Sequence, residues 1–188
     1  GETVIKIKDK HFTIQNYAEA DSSFFKIFSI PLIKGNKNTI LDGPHKVALS
    51  ESTSKKIFGD DDPMEKMLKI GNDSELYKVS GIYKDIPGNS HFEADLVSSF
   101  TSNPRSTRGN WLSNSFNTYL LLKPGANYKD VEAKIPQLIA KHVGPLLQQF
   151  LGITLEDFLS KGNKYSMFLQ PLKDIHLQPE IQQDTKPA

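Results

Sequence analysis

The longest uninterrupted apolar stretches of this chain, Ile30–Ile33 and Tyr119–Leu122, span four residues each. A membrane-crossing helix needs about 20 consecutive apolar residues, so neither can span a bilayer. Each can supply one strand or one helix face, and a core has to be assembled from many such short pieces. Apolar side chains are plentiful enough for that: 37% of the 188 residues are hydrophobic and 10% aromatic, against 24% charged. Such a chain buries a core and does not stay disordered. The length allows one domain, or two small lobes sharing a core.

The order of short elements can be read from punctuation. Thr3–Lys8 alternates, breaks at Asp9–Lys10, and resumes extended character over His11–Tyr17, which predicts a hairpin. Asp21 is placed to cap a helix over Ser22–Ser29, with Phe24, Phe25 and Phe28 as a core-facing stripe and Pro31 as its stop. Val47–Leu49 reads as a strand running into a helix capped by Ser50 and closed by Gly59. Met67–Ile70 and Leu76–Ile86 flank the turn Gly71–Ser74, a second hairpin. Ser98–Asn117 is rich in Ser, Asn and Thr and reads as a loop. Tyr119–Leu122 reads as a buried strand. Asn127 then caps a helix that Pro136 should kink or split, Thr154–Asp157 resembles a capping box, and Tyr165–Leu172 reads as a last strand.

The predicted fold is α+β: a mixed sheet packed with short helices, in two lobes. The main lobe is expected to be discontinuous, 1–97 and 118–177. A loop-rich accessory lobe, 98–117, is inserted before the C-terminal strand–helix–strand part. Residues 178–188 form a polar tail. Gly1 reads as the scar of a cleaved tag, so the chain is expected to be a piece of a longer protein.

Several function classes are excluded at this level. There is no cysteine, hence no disulfide framework, thiolate metal site or Cys nucleophile. The formal net charge is +1, and only Arg105 and Arg108 are arginines, so no nucleic-acid partner is expected. The nearest approach to a phosphate loop, Gly59 to Lys66, carries Glu65 and Met67 where Gly and Ser/Thr are required. A nucleophile elbow is absent, and Ser50 and Ser52 are explained as helix caps. The histidines at 11, 45, 91, 142 and 176 include no i, i+4 pair. Asp174 and His176 offer two ligands but close no site, and Asp60–Asp62 reads as a solvated turn. No catalytic, cofactor-binding or metal-binding residue is therefore assigned, and no cofactor. Trp111 stands out in a polar stretch, as either the anchor of the accessory lobe or an exposed contact. With Phe116, Arg105 and Arg108 it forms the candidate partner-contact set.

Three stretches carry more information than their punctuation. Tyr17–Gly35 (YAEADSSFFKIFSIPLIKG), Val47–Pro63 (VALSESTSKKIFGDDDP) and Val79–Phe92 (VSGIYKDIPGNSHF) resemble, in order and spacing, the MacB-like periplasmic core domain of FtsX-type ABC transporter permeases. Tyr119–Gly125, the Tyr128–Val143 helix and Leu169–Leu177 are similar to its closing strand, helix and strand. One position departs from the family: Glu65 stands where Gly is common, and Gly there would suit a positive-φ turn.

The resemblance implies a non-catalytic domain on the periplasmic side of the inner membrane, held between the first two membrane helices of a permease. It implies conformational relay from cytoplasmic ATP hydrolysis to a periplasmic substrate or partner. The implied partners are an ABC ATPase subunit or domain, the flanking transmembrane helices, a periplasmic adaptor or substrate, and a second permease copy. The alternatives are a free-standing small-molecule or peptide-binding module, with 98–117 as its lid, and a hydrolase. The permease reading further predicts that Thr3–Lys8 and Tyr165–Leu172 are neighbours in one sheet, and that Glu2 and the chain near His176 leave from the end opposite Trp111.

Overall fold

A computed structural model describes residues 1–113 and 115–175; His176 and the tail 178–188 lie outside the described residues. The chain divides into two compact units, Gly1–Arg108 and Gly109–Ala188.

The first unit is built on β1 (Thr3–Ile7), β2 (Lys10–Ile14), β3 (Tyr17–Ala20), β4 (Leu32–Lys34), β5 (Lys46–Ser50), β6 (Met67–Ile70), β7 (Tyr77–Tyr83) and β8 (Leu96–Ser99). They form one 8-stranded sheet in the order β2-β1-β6-β7-β5-β8-β3, with β4 also on β7. β5/β7 and β3/β8 are parallel and the other pairs antiparallel, so the sheet is mixed. Both expected hairpins are present, β1–β2 and β6–β7.

Alternation along the central strands buries both faces. Val47 and Leu49 of β5, Val79 of β7 and Leu96 of β8 join Ile5, Leu68 and Ile70 in one core. Ala48, Val97 and Tyr83, from the same strands, join Phe25, Ile40 and Leu41 in another. Helix α1 (Phe24–Ile27) covers the second core, where Phe24, Phe25, Phe28 and Phe92 pack at ring separations of 4.8–5.4 Å. Helix α2 (Glu51–Phe58) lays Ile57 and Phe58 on the first.

The second unit is helical. Asn127 caps α3 (Tyr128–Glu132), and Pro136 opens α4 (Ile135–Leu151) at its first turn, so the predicted split occurs. Ile139, Val143 and Leu147, four residues apart, form the buried stripe of α4. Thr154 and Asp157 close a full capping box on α5 (Leu155–Ser160).

Four local expectations are corrected. The helix expected over Ser22–Ser29 is a single turn, and Asp21 does not cap it but accepts the N–H of Ser23 in a local turn. Ser98 and Ser99, expected in the loop, are the buried end of β8, where the Ser98 hydroxyl bonds the Tyr17 hydroxyl and the Ser99 hydroxyl donates to the Leu41 carbonyl. Tyr119–Leu122 is not a strand: Leu120 and Leu121 are 54% and 71% exposed. Nor is Tyr165–Leu172 a strand. Apolar extended residues need a ladder partner to become a strand, and neither segment has one among the described residues. β1 therefore does not neighbour a C-terminal strand; its two sides are taken by β2 and β6. The departure of the chain near His176 lies outside the described residues.

Candidate functional site

The three motif stretches meet in the first unit, and what they build is mechanical. Ser80 is the extra residue of a bulge between β5 and β7, where Val47 pairs with Val79 but Ala48 with Gly81. Its hydroxyl donates to the Ile40 carbonyl at 2.6 Å and lies 3.1 Å from that of Val47. Gly81 leaves room for Ile40: a Cβ on it would stand 2.2 Å from Ile40 Cδ1. Gly35, at φ +99, crosses the same bulge so closely that a Cβ would meet the Ser80 carbonyl oxygen at 2.7 Å. The glycines ending the first motif and opening the third are thus the two sides of one contact.

The second motif is tied to the third at the start of α2. Ser50 Oγ accepts the Thr53 N–H, and Asp85, just beyond β7, accepts the Ser52 N–H and Oγ–H at 3.1 and 2.9 Å. Burial raises the Asp85 pKa, but the Ser52 bonds, with Ser50 and Lys84, together outweigh it and hold the carboxyl below the usual carboxylate range. Lys84 pairs with Glu51 at 2.8 Å. Ser50 caps α2 as expected, whereas Ser52, also expected as a cap, lies in the first turn and is held by Asp85 instead.

Glu65 has φ +63. The backbone keeps the left-handed turn that the family's glycine would favour, pinned by Glu65 N–H donating to the Val79 carbonyl at 2.9 Å. The Glu65 carboxylate reaches Lys78 at 2.8 Å.

The candidate contact residues are divided between the units. Arg105 lies in a short 3-10 helix, Pro104–Thr107, capped by Asn103, and Arg108 follows it; both are exposed. Trp111 and Phe116 belong to the second unit. The Trp111 ring stacks on His142 at 4.4 Å, inclined 12°, and packs on the Ile139–Val143–Leu147 stripe, while its carbonyl accepts the Tyr165 hydroxyl. Trp111 is therefore an anchor of its unit. Phe116 is 50% exposed. Among the described residues the second unit exposes further large apolar side chains, notably Leu120, Leu121, Phe150, Leu151 and Phe168. Sequence reasoning missed these residues because it read Leu120, Leu121 and Phe168 as strand residues and placed Phe150 and Leu151 in no element.

A shallow open groove of about 240 Å³ runs between β4 and α2, past Ile33, Lys34, Glu51, Lys55, Asp60 and Pro63. Two of its charged side chains are engaged: Lys34 with Asp62 at 2.8 Å, Glu51 with Lys84. Among the described residues no group of three or more His, Cys, Asp or Glu could hold a metal, and no helix is long and apolar enough to cross a membrane.

The family model of the MacB-like periplasmic core domain matches residues 4–138. A crystal structure assigned as a domain of a permease protein from Porphyromonas gingivalis is similar over 76% of this chain and 66% of its own, at 23% identity and a TM-score of 0.63. This chain thus spans about two thirds of that domain. The periplasmic region of MacB from Actinobacillus actinomycetemcomitans aligns over 88% of this chain and 74% of its own, at 15% identity and a TM-score of 0.48. The extracellular domain of the ABC-type transporter YknZ from Gram-positive bacteria aligns over 82% and 73%, at 15% and 0.44. No curated protein matches the chain. With its matched span covering the whole sheet, its three motifs meeting at one bulge and its turn at Glu65 preserved, the chain belongs to the MacB-like periplasmic core domain family, the non-catalytic extracytoplasmic domains of ABC transporter permeases.

Proposed function

We propose that this domain transmits conformational change, driven by ATP hydrolysis on a separate cytoplasmic subunit or domain, to a substrate or partner on the periplasmic side of the inner membrane. The observation that carries the reading is the family match over residues 4–138, which coincides with a sheet buried on both faces. A sheet so packed resists bending and passes displacement from edge to edge. The partners are the flanking transmembrane helices and the ABC ATPase of the whole permease, with a second permease copy and a periplasmic adaptor or substrate outside. The exposed apolar residues of the second unit, with Phe116, are a surface offered to the outer partner; Arg105 and Arg108, on the first unit's last turn, are separate candidate contacts.

The ligand-binding alternative is weaker, because the groove beside α2 is open and two of its charged side chains, Lys34 and Glu51, are already paired with Asp62 and Lys84. The test is placement. A single cysteine at exposed Lys37 in the whole permease should react, in intact cells with a permeable outer membrane, with a membrane-impermeant maleimide. Labelling only after the inner membrane is broken would overturn the reading.

A further inference from the structure

The outer edge of β3 has begun to acquire a strand. The Gly1 amino group donates to the Tyr17 carbonyl at 3.0 Å, and the Tyr17 N–H donates to the Gly1 carbonyl at 2.7 Å. Two residues that exchange both bonds are a hydrogen-bonded antiparallel pair. In the neighbouring β1–β2 ladder Thr3 opposes Ile14. Gly1 opposing Tyr17 is that same ladder displaced by one residue across Gln15–Asn16, as at a bulge. The strand that contains β1 is thus passing from β2 onto β3.

Parity fixes what lies beyond. The Asn16 carbonyl accepts the N–H groups of Asp95 and Leu96, and β3 runs parallel to β8 from Tyr17↔Leu96 to Ala20↔Ser99. Backbone groups alternate sides along a strand, so Asn16, Ala18 and Ala20 face β8 while Tyr17 and Glu19 face the other edge. Gly1 satisfies Tyr17. The N–H and C=O of Glu19 face the same edge and make no backbone bond among the described residues. Side chains carry a matching signal: Ala18 and Ala20 lie half-buried on the Phe25–Tyr83–Val97 core, beside half-buried Phe24 and Phe28.

We propose that, in the permease, the residue preceding Glu2 takes the place opposite Tyr17 that Gly1 holds here, and the polypeptide upstream of it adds to β3 as an antiparallel edge strand in that register. Its first and third residues upstream oppose Ala18 and Ala20 and are apolar; its second pairs with Glu19. This rests on the reading that the domain is part of a longer permease. Its consequence is mechanical: movement of the segment arriving from the membrane enters the sheet along β3 and reaches β5 through β8.

The test uses the whole permease with cysteines elsewhere removed, this chain having none. Glu19→Cys alone, labelled by an impermeant maleimide, reports whether β3 is outside the inner membrane, and so tests the placement separately. Glu19→Cys combined with cysteine at the second residue upstream should form an intramolecular disulfide under mild oxidant; cysteine at the first residue upstream, on the opposite sheet face, should not. Hydrogen exchange at the Glu19 amide should slow by at least about tenfold relative to the 1–188 chain. A disulfide at the first residue instead, none at either, an unprotected Glu19 amide, or a Glu19–Glu19 dimer from a second copy taking the edge would each overturn the proposal.

Discussion

Glu65 allows the backbone reading to be tested apart from the ion pair it carries. An L-residue in left-handed geometry costs about 1–2 kcal/mol relative to one at negative φ, and Glu65 sits at φ +63. Glycine removes that cost but adds about 0.5–1 kcal/mol of unfolded-chain entropy. Replacing Glu also removes the contact with Lys78, in which the Glu65 side chain is 68% exposed; such surface pairs contribute about 0–1 kcal/mol. The informative comparison is therefore Glu65→Gly against Glu65→Ala, since both lose the carboxylate and only one keeps the strained φ. Glu65→Gly should be the more stable by about 0.5–1 kcal/mol, the reverse of the usual order of these residues in regular structure. Urea unfolding followed by far-UV circular dichroism, with m compared between variants, reads the difference. An alanine variant equal to or more stable than the glycine one would refute the argument that this turn requires a glycine conformation.

Other substitutions test the contacts between motifs. Gly35→Ala combines positive φ with a Cβ 2.7 Å from the Ser80 carbonyl oxygen, whereas Gly59→Ala, at φ +63, meets nothing within 4 Å. Gly35→Ala should cost more, about 2–5 kcal/mol against about 1–3, read by hydrogen exchange of the β7 amides; equal costs would mean the crossing is loose. Tyr83→Phe leaves the Ala94 carbonyl, now bonded at 2.9 Å, without its donor in the core, and should cost about 1–3 kcal/mol in the same exchange measurement. Asp73, held low by the Glu75 N–H and then the Tyr77 hydroxyl, and Asp62, held low by Lys34, have folded pKa values below their unfolded ones. Their stabilisation is present above the ordinary carboxylate pKa and is lost as pH falls through the folded values, so the urea midpoint should drop between about pH 5 and pH 3. Asp73→Asn should flatten that drop.

The sequence was most legible where local chemistry decides the outcome. Ser50, Asn127 and Thr154 cap helices where they were placed, Pro136 splits its helix, and both hairpins form at their turns. It was least legible where the deciding partner is distant. Tyr119–Leu122 has strand composition but no ladder partner among the described residues, and the Ser98–Ser99 end of β8 has loop composition but lies between β3 and β5. Asp21 has cap chemistry, yet the chain turns only once after it because Phe24, Phe25 and Phe28 are held by the aromatic cluster. The site was legible through its motifs and illegible in its mechanics: nothing local to Gly35 or Gly81 indicates that they face the same bulge. Trp111 was legible as an unusual residue, and only the His142 ring and the α4 stripe give it its anchoring place.

The relay itself is tested most directly by a distance. Spin labels on cysteines at exposed Lys55, on α2, and exposed Glu156, on α5, report the separation of the two units in the whole, membrane-embedded permease with its ATPase. The account predicts that the label–label distance distribution shifts between the nucleotide-free and ATP-bound states and returns after hydrolysis. A distribution unchanged through the ATPase cycle, in a permease that is hydrolysing ATP, would contradict it.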